Sequence, residues 1–200
     1  MNIINKTCLL LCSLVMITCG SSDTSECNTI GENLLAEFRN HPDTWFTENY
    51  TCAELQGANL QGINISGTYA NNTANFTDAN LSHANLSHIT ANRTVFIRTN
   101  LSNANLSWSV LQYAELTNAN LSNANLTSTF LANAYMQGTN LQGANLTNSV
   151  MRDTNLNQAN LQNANLQGAE LTRANLRGAD LRGANLTGVI GADYTSAILQ

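Results

Sequence analysis

Few residues in this sequence have the types and spacing that catalysis or metal binding requires. His83 and His88 lie five positions apart, and no cysteine or carboxylate accompanies them as a third ligand. Because a zinc site needs at least three protein ligands, the pair predicts no metal site. Glu115, Asp153 and Glu170 are scattered, and no serine has a suitable histidine and acid partner. We therefore expect no catalytic residues, no metal and no cofactor.

The first two of the five cysteines, Cys8 and Cys12, lie in a short apolar stretch near the N-terminus. Residues 8–18 are apolar except for two hydroxyl residues, which is typical of a secretory signal. About eleven residues are too few to span a bilayer, which takes ~20. The stretch ends in Val15-Met16-Ile17-Thr18-Cys19-Gly20. This ending resembles the lipobox of bacterial lipoproteins.

The lipoprotein resemblance implies that residues 1–18 are removed and that Cys19 carries a lipid, with residues 19–28 as a tether. Glycine rather than aspartate after Cys19 is, by the same resemblance, typical of the outer membrane. Cys27 and Cys52 then remain as an even pair in an oxidising compartment, which favours a disulfide. The alternatives are a cut after Ser21 or Ser22 that releases a secreted or periplasmic protein, a retained N-terminus, and two free thiols.

Residues 29–52 predict a helical cap. Thr29 and Glu32 fit a capping box, and Pro42 limits the helix. Between Thr29 and Pro42, apolar residues recur at helical spacing, at Ile30, Leu34, Leu35 and Phe38. A helix before a repeat array is expected to cover the open first coil, although a separate binding helix is the alternative.

From Ala74 the chain repeats every five residues. A large apolar residue, the centre, recurs 23 times from Phe76 to Leu186, with Leu, Phe or Met in 22 cases. Two positions before the centre the residue is alanine in 15 cases and otherwise Ser, Thr or Ile89, and directly before the centre it is asparagine in 14 cases. A shorter run at Leu55, Leu60 and Ile65 is one residue out of phase, so one residue is inserted within 66–73. A period of five fits neither a helix nor a flat strand.

Ala-Asn-Leu-x-x repeated in this way resembles the pentapeptide-repeat family. The resemblance covers residues from Ala53 to about Leu186. It implies that residues 53–200 form an all-β solenoid, a right-handed quadrilateral β-helix with four pentapeptides per coil. The centre and the small residue then point inward, and the other three positions point outward.

If four pentapeptides form a coil, residues twenty apart stack on one side. The position before the centre is then asparagine along two sides, apart from Asp180, whereas the other two sides carry the exceptions. Several of the residues that replace asparagine are apolar, and other apolar residues lie near them. Together they predict an outward apolar patch of eight residues: Val95, Ile97, Trp108, Val110, Tyr113, Phe130, Tyr135 and Val150. A contiguous apolar patch often marks an interaction site. The alternative is that these residues only improve outer-surface packing.

Charge narrows the function class. Residues 53–200 contain seven acidic residues and six arginines, so they are not basic, which argues against a nucleic-acid partner. The best-known members of the family imitate DNA and bind DNA gyrase, which implies a strongly acidic rod in the cytoplasm. A nearly neutral rod behind an export signal argues against that role here. We expect a non-enzymatic module, anchored in the cell envelope by a lipid, that presents its rod to a protein or glycan partner.

Two other functions stay open at this point. The rod is a plain spacer in one, and in the other its regular Asn, Ser and Thr faces bind ice, glycans or a surface. After Leu186 the register slips, resumes at Ala192-Asp193-Tyr194, and ends without a visible capping helix. An uncovered coil exposes backbone pairing groups, so we also expect a homodimer through the C-terminal coil.

Overall fold

Each pentapeptide forms one side and one corner of a coil. The computed structural model describes residues 56–57, 59–67, 70 and 74–200. In each repeat the N–H of the small residue donates to the carbonyl of the preceding centre, as from Ala79 to Phe76 at 2.9 Å. The residue two positions after the centre has a positive φ, at every fifth position from Asp78 to Gly188. A positive φ at the third turn position only is the signature of a type II turn.

Coils stack through parallel bridges between residues twenty apart. The N–H of Leu81 donates to the carbonyl of Asn100 at 2.7 Å, and the N–H of Asn100 donates to the carbonyl of Ala79 at 2.9 Å. On each side, one residue per coil forms these bridges. The bridged residues of the first side are Asn80, Asn100, Asn120, Asn140, Asn160 and Asp180, and those of the second side are Asn85, Asn105, Asn125, Asn145, Asn165 and Asn185. Those of the third side are Thr90, Val110, Phe130, Val150, Glu170 and Ile190, and those of the fourth side are Asn75, Val95, Glu115, Tyr135, Asn155 and Asn175.

These contacts are isolated bridges rather than the continuous strands that the term β-helix suggests. Within the described residues there is neither a helix nor an extended strand. The reason is the repeat itself, because a turn every five residues leaves one bridged position per side.

The core is a stack of inward centres and small residues. Centres from Phe76 to Leu181 and the small residues beside them are buried. Phe76 and Phe96 stack with ring centroids 5.1 Å apart, whereas the preceding centres Ala70 and Ala91 are small. A small centre beside a large one keeps the total core volume steady, as close packing requires.

Buried hydroxyls at the small position have their own acceptors. Oγ1 of Thr129 donates to the carbonyl of Leu106 at 2.8 Å, and Oγ1 of Thr139 donates to that of Leu116 at 2.8 Å. Threonine and serine therefore replace alanine without leaving an unpaired polar group in the core.

Asparagines of the first two sides form side-chain ladders. Nδ2 of Asn100 donates to Oδ1 of Asn80 at 3.1 Å, and Nδ2 of Asn125 donates to Oδ1 of Asn105 at 3.2 Å. Each Oδ1 also accepts from the backbone N–H two residues later, as from Ser102 to Asn100 at 3.2 Å. The ladders therefore hold adjacent coils together and fix each turn.

The register changes once near each end. Asn80 donates to Asn59, 21 residues earlier, so the predicted inserted residue is confirmed and lies between Ala70 and Ala74. At the other end Asp180 bridges Ile198, 18 residues later, so two residues are missing after Ile190. The shortened corner needs Gly191, because a Cβ there would lie 2.9 Å from Cα of Thr172.

The expected signal, tether and helical cap lie outside the described residues, as do Cys19, Cys27 and Cys52.

Candidate functional site

The third side carries a continuous apolar strip. Val110 bridges Phe130, and Phe130 bridges Val150, so the three side chains stack on successive coils. Phe130 is 41% exposed, and the two valines are half-buried. The three side chains form a strip because they lie twenty residues apart, at the outward position through which successive coils are bridged.

Two aromatic residues flank this strip at the corners. Trp108 closes the second side and Tyr113 closes the third, with φ of 61° and 59°. Their exposed fractions are 56% and 44%. A left-handed conformation costs a non-glycine residue roughly 1–2 kcal/mol, and glycine or asparagine fits it best. The backbone therefore gives no reason for an exposed tryptophan or tyrosine at these corners.

The fourth side interrupts the predicted patch. Val95 bridges Glu115, and Glu115 bridges Tyr135, so a carboxylate separates the two apolar residues. Val95 and Ile97 are half-buried, whereas Tyr135 is 47% exposed. Counting in steps of twenty already places Glu115 between Val95 and Tyr135, and the contiguity of the eight-residue patch stays a prediction.

We name the group Trp108, Val110, Tyr113, Phe130, Tyr135 and Val150 the aromatic face. It keeps all the exposed aromatic residues of the predicted patch. Val95 and Ile97 lie beside it, beyond Glu115.

Most of the charged groups around the aromatic face are in ion pairs, apart from Arg93 and Glu115. The guanidinium of Arg93 lies 5.6 Å from the ring centroid of Tyr113, a cation–π distance. The other arginines near these sides form ion pairs, which are Arg98 with Asp78, Arg152 with Glu170, and Arg173 with Asp153. Hydrogen bonds from the arginines lower the pKa of each of these three carboxyl groups. The surroundings of the face are therefore close to neutral.

These ion pairs were not predicted from the sequence. Asp78 and Arg98 are twenty residues apart, and so are Asp153 and Arg173, which places each pair on one corner column. Reading the corner positions in steps of twenty would have found both pairs.

The candidate chemical residues do not converge. His83 and His88 lie at successive corners, and Glu115 lies on another side of the coil. Across the part of the chain that is described, no three His, Cys, Asp or Glu residues are placed to hold a metal ion. That part also has no helix of the length and apolarity needed to cross a membrane.

The sequence matches the family described as Pentapeptide repeats, with eight copies, over residues 74–112, 114–153 and 149–188. The chain belongs to the pentapeptide-repeat family. Pentapeptide-repeat proteins of known structure are right-handed quadrilateral β-helices, in agreement with the four-sided stack of coils.

Solved structures of other pentapeptide-repeat proteins resemble this one. A trypsin-treated variant of QnrB1, a plasmid-mediated fluoroquinolone resistance protein, is 18% identical with a TM-score of 0.53, over 77% of this chain and 84% of its own. HetL, involved in heterocyst differentiation regulation in the cyanobacterium Nostoc sp. strain PCC 7120, is 24% identical with a TM-score of 0.43, over 82% and 96%. These likenesses concern the fold. No curated protein matches this pentapeptide-repeat chain.

Proposed function

We propose that this pentapeptide-repeat protein is a non-enzymatic binding module whose aromatic face docks a protein or glycan partner. The observation that carries the proposal is the exposure of Trp108 and Tyr113, at 56% and 44%, beside the apolar strip of the third side. Exposed apolar residues grouped in one patch often mark an interaction site.

The asparagine faces support a structural role for the first and second sides. Their amide groups are already engaged, since Nδ2 of Asn105 donates to Asn85 and Oγ of Ser107 donates to Asn105 at 2.8 Å. Adhesion or ice binding through these faces would compete with hydrogen bonds that hold the coils together. A plain spacer would need no exposed aromatic residues beside an apolar strip.

Charge argues against imitation of DNA. Residues 74–200 hold six acidic residues and six arginines, and four of the acids pair with arginine. DNA carries one negative charge for every ~1.7 Å of its axis, so a mimic needs a dense row of unpaired carboxylates.

In this proposal a lipid on Cys19 holds the module in the cell envelope, and a Cys27–Cys52 disulfide braces it. Glycine after Cys19 favours the outer membrane. Palmitate labelling and fractionation of the wild type and Cys19→Ser test the anchor. Label in the membrane-bound wild type only supports it, whereas an unlabelled soluble wild type contradicts it.

A homodimer through the C-terminal coil is a separate proposal. Ile190, Ile198 and Leu199 are exposed at 58%, 45% and 47% on the last coil. Light scattering of the purified chain tests it, and a monomer at micromolar concentration would exclude it.

The docking surface is tested by photo-crosslinking in intact cells. Benzoylphenylalanine replaces Trp108 or Phe130 in two variants and Asn123, at a corner between the asparagine sides, in the matched control. We expect crosslinked species at the two aromatic positions and not at the control.

A second pair of variants separates docking from packing. Trp108→Ala and Phe130→Ser should lose the partner while the melting temperature stays within a few degrees of the wild type. If both variants keep the partner, or if neither a crosslinked species nor a bound glycan is found, the aromatic face is not a docking surface.

A further inference from the structure

The size of the aromatic face favours a small or narrow ligand. Trp108, Tyr113, Phe130 and Tyr135 are between 41% and 56% exposed. With about 200 Å² of surface on each such side chain, they offer roughly 400 Å² for contact. A stable protein–protein interface takes about 800 Å² from each partner. The face is therefore too small to hold a second copy of this chain by itself.

The backbone of the third side offers no edge for an added strand. The N–H of Phe130 donates to the carbonyl of Ser109 at 2.9 Å, and the N–H of Leu131 donates to that of Val150 at 2.8 Å. The side is thus paired with the coils before and after it. A peptide cannot extend it by main-chain hydrogen bonds, which is how sheet edges capture extended peptides.

The charges around the face are few and of both signs, which does not favour a strongly charged ligand. Arg93 lies against Tyr113, Glu115 lies beside Tyr135, and Arg152 is paired with Glu170. Single-stranded nucleic acids need a positively charged groove beside the stacking rings, and phosphorylated peptides need an arginine cluster.

Side-chain amides supply the polar groups on the same sides. Gln112 lies between Val110 and Tyr113 in the sequence of the third side, and Gln137 follows Tyr135 by two residues on the fourth side. Gln112 is half-buried and Gln137 is exposed. A carboxamide presents a donor and an acceptor together, which suits hydroxyl groups.

We infer that the aromatic face binds a neutral oligosaccharide chain. A pyranose ring has one face of C–H groups and a rim of hydroxyls, so it stacks on exposed aromatic rings while amides bond its rim. Exposed rings with carboxamides nearby and few charges provide both contacts, in the usual combination of apolar surface with a few polar groups. This inference rests on the proposed docking role and names the partner for the same surface.

The test uses neutral hexasaccharides of glucose and of N-acetylglucosamine, in α- and β-linked forms. The chain has two tryptophans, so Trp45→Phe leaves Trp108 as the reporter. We expect the emission of Trp108 to shift with one of the sugars. Calorimetry should show a roughly tenfold weaker affinity for Trp108→Asn, which corresponds to ~1.4 kcal/mol. Asn123→Gly, at a distant corner of the same kind, should bind like the wild type.

Three outcomes would overturn the inference. The first is no binding of any hexasaccharide to the folded protein at about 1 mM. The second is binding that survives both Trp108→Asn and Phe130→Ser, which would place the sugar elsewhere. The third is a different occupant of the face. A proline-rich peptide that displaces the sugar and binds more tightly would show this, and so would a dimer of the chain that Phe130→Ser dissociates.

The failure of this inference differs from the failure of the docking role. If crosslinking at Trp108 and Phe130 captures a protein and no sugar binds, the docking surface stands and the sugar is wrong. If neither a sugar nor a crosslinked partner is found, both proposals fall.

Discussion

Replacing Asn120 with alanine tests how much an asparagine ladder stabilises the rod. Oδ1 of Asn120 accepts from the N–H of Ser122 at 3.2 Å and from Nδ2 of Asn140 at 3.1 Å, and its own Nδ2 donates to Asn100 at 3.3 Å. Three hydrogen bonds at ~1 kcal/mol net each give at most about 3 kcal/mol. The groups left behind are half-buried and can reach water, so we expect a loss of about 2 kcal/mol.

Asn160 provides an internal comparison. Its Oδ1 accepts from the N–H of Gln162 at 3.1 Å and its Nδ2 donates to Asn140 at 3.3 Å. The next residue in its ladder is Asp180, which has no amide to donate. Asn160→Ala removes one hydrogen bond fewer than Asn120→Ala, and we expect it to cost about 1 kcal/mol less.

The assay is equilibrium unfolding in urea, followed by far-UV circular dichroism, with the midpoint shift read at constant slope. Ser122→Ala is the control, because Ser122 contributes its backbone N–H to the ladder. The reasoning fails if Asn120→Ala costs no more than this control, or if Asn160→Ala costs more than Asn120→Ala.

Three further predictions concern the core, a corner and a carboxylate. Leu126→Ala removes a fully buried centre and should cost about 2–5 kcal/mol in urea unfolding; a loss below this range would mean that the stack collapses around the gap. Gly138→Ala should cost more than Gly62→Ala in thermal unfolding, because both have positive φ but only the Cβ at 138 would meet Oδ1 of Asn118. The hydrogen bond from Arg182 holds the pKa of Asp180 below its usual range, so its stabilisation is present above about pH 4 and lost as the pH falls. Asp180→Asn should therefore flatten the acid limb of the stability–pH curve, and an unchanged limb would show that the ion pair contributes nothing.

The repeat itself could be read from the sequence because every unit uses the same local rule. The twenty-residue coil was predicted from the asparagines at Asn80, Asn100 and Asn120, and parallel bridges between them confirm it. The inserted residue before Ala74 was also predicted, since a phase shift in a strict period is visible by counting. The described repeats contain no extended strand, because turns recur too often to leave room for one.

The aromatic face shows where this counting stops. Counting in steps of twenty assigned Val110, Phe130 and Val150 to one side and placed Glu115 between Val95 and Tyr135 on another, and the bridges agree. The ion pair of Asp153 with Arg173, at 2.6 Å, was not predicted. Counting shows which residues share a column, but not which side chains reach each other.

The sequence alone thus determined the period, the coil length and the inward residues of this protein, since these follow from a rule repeated every five residues. The tertiary structure decided how far each outward side chain is exposed and which groups pair. Stacking sets these properties, because each outward residue between Asn100 and Asn160 lies between one neighbour above and one below. Trp108 is the clearest case, since only its corner geometry shows that an exposed ring occupies a position suited to glycine.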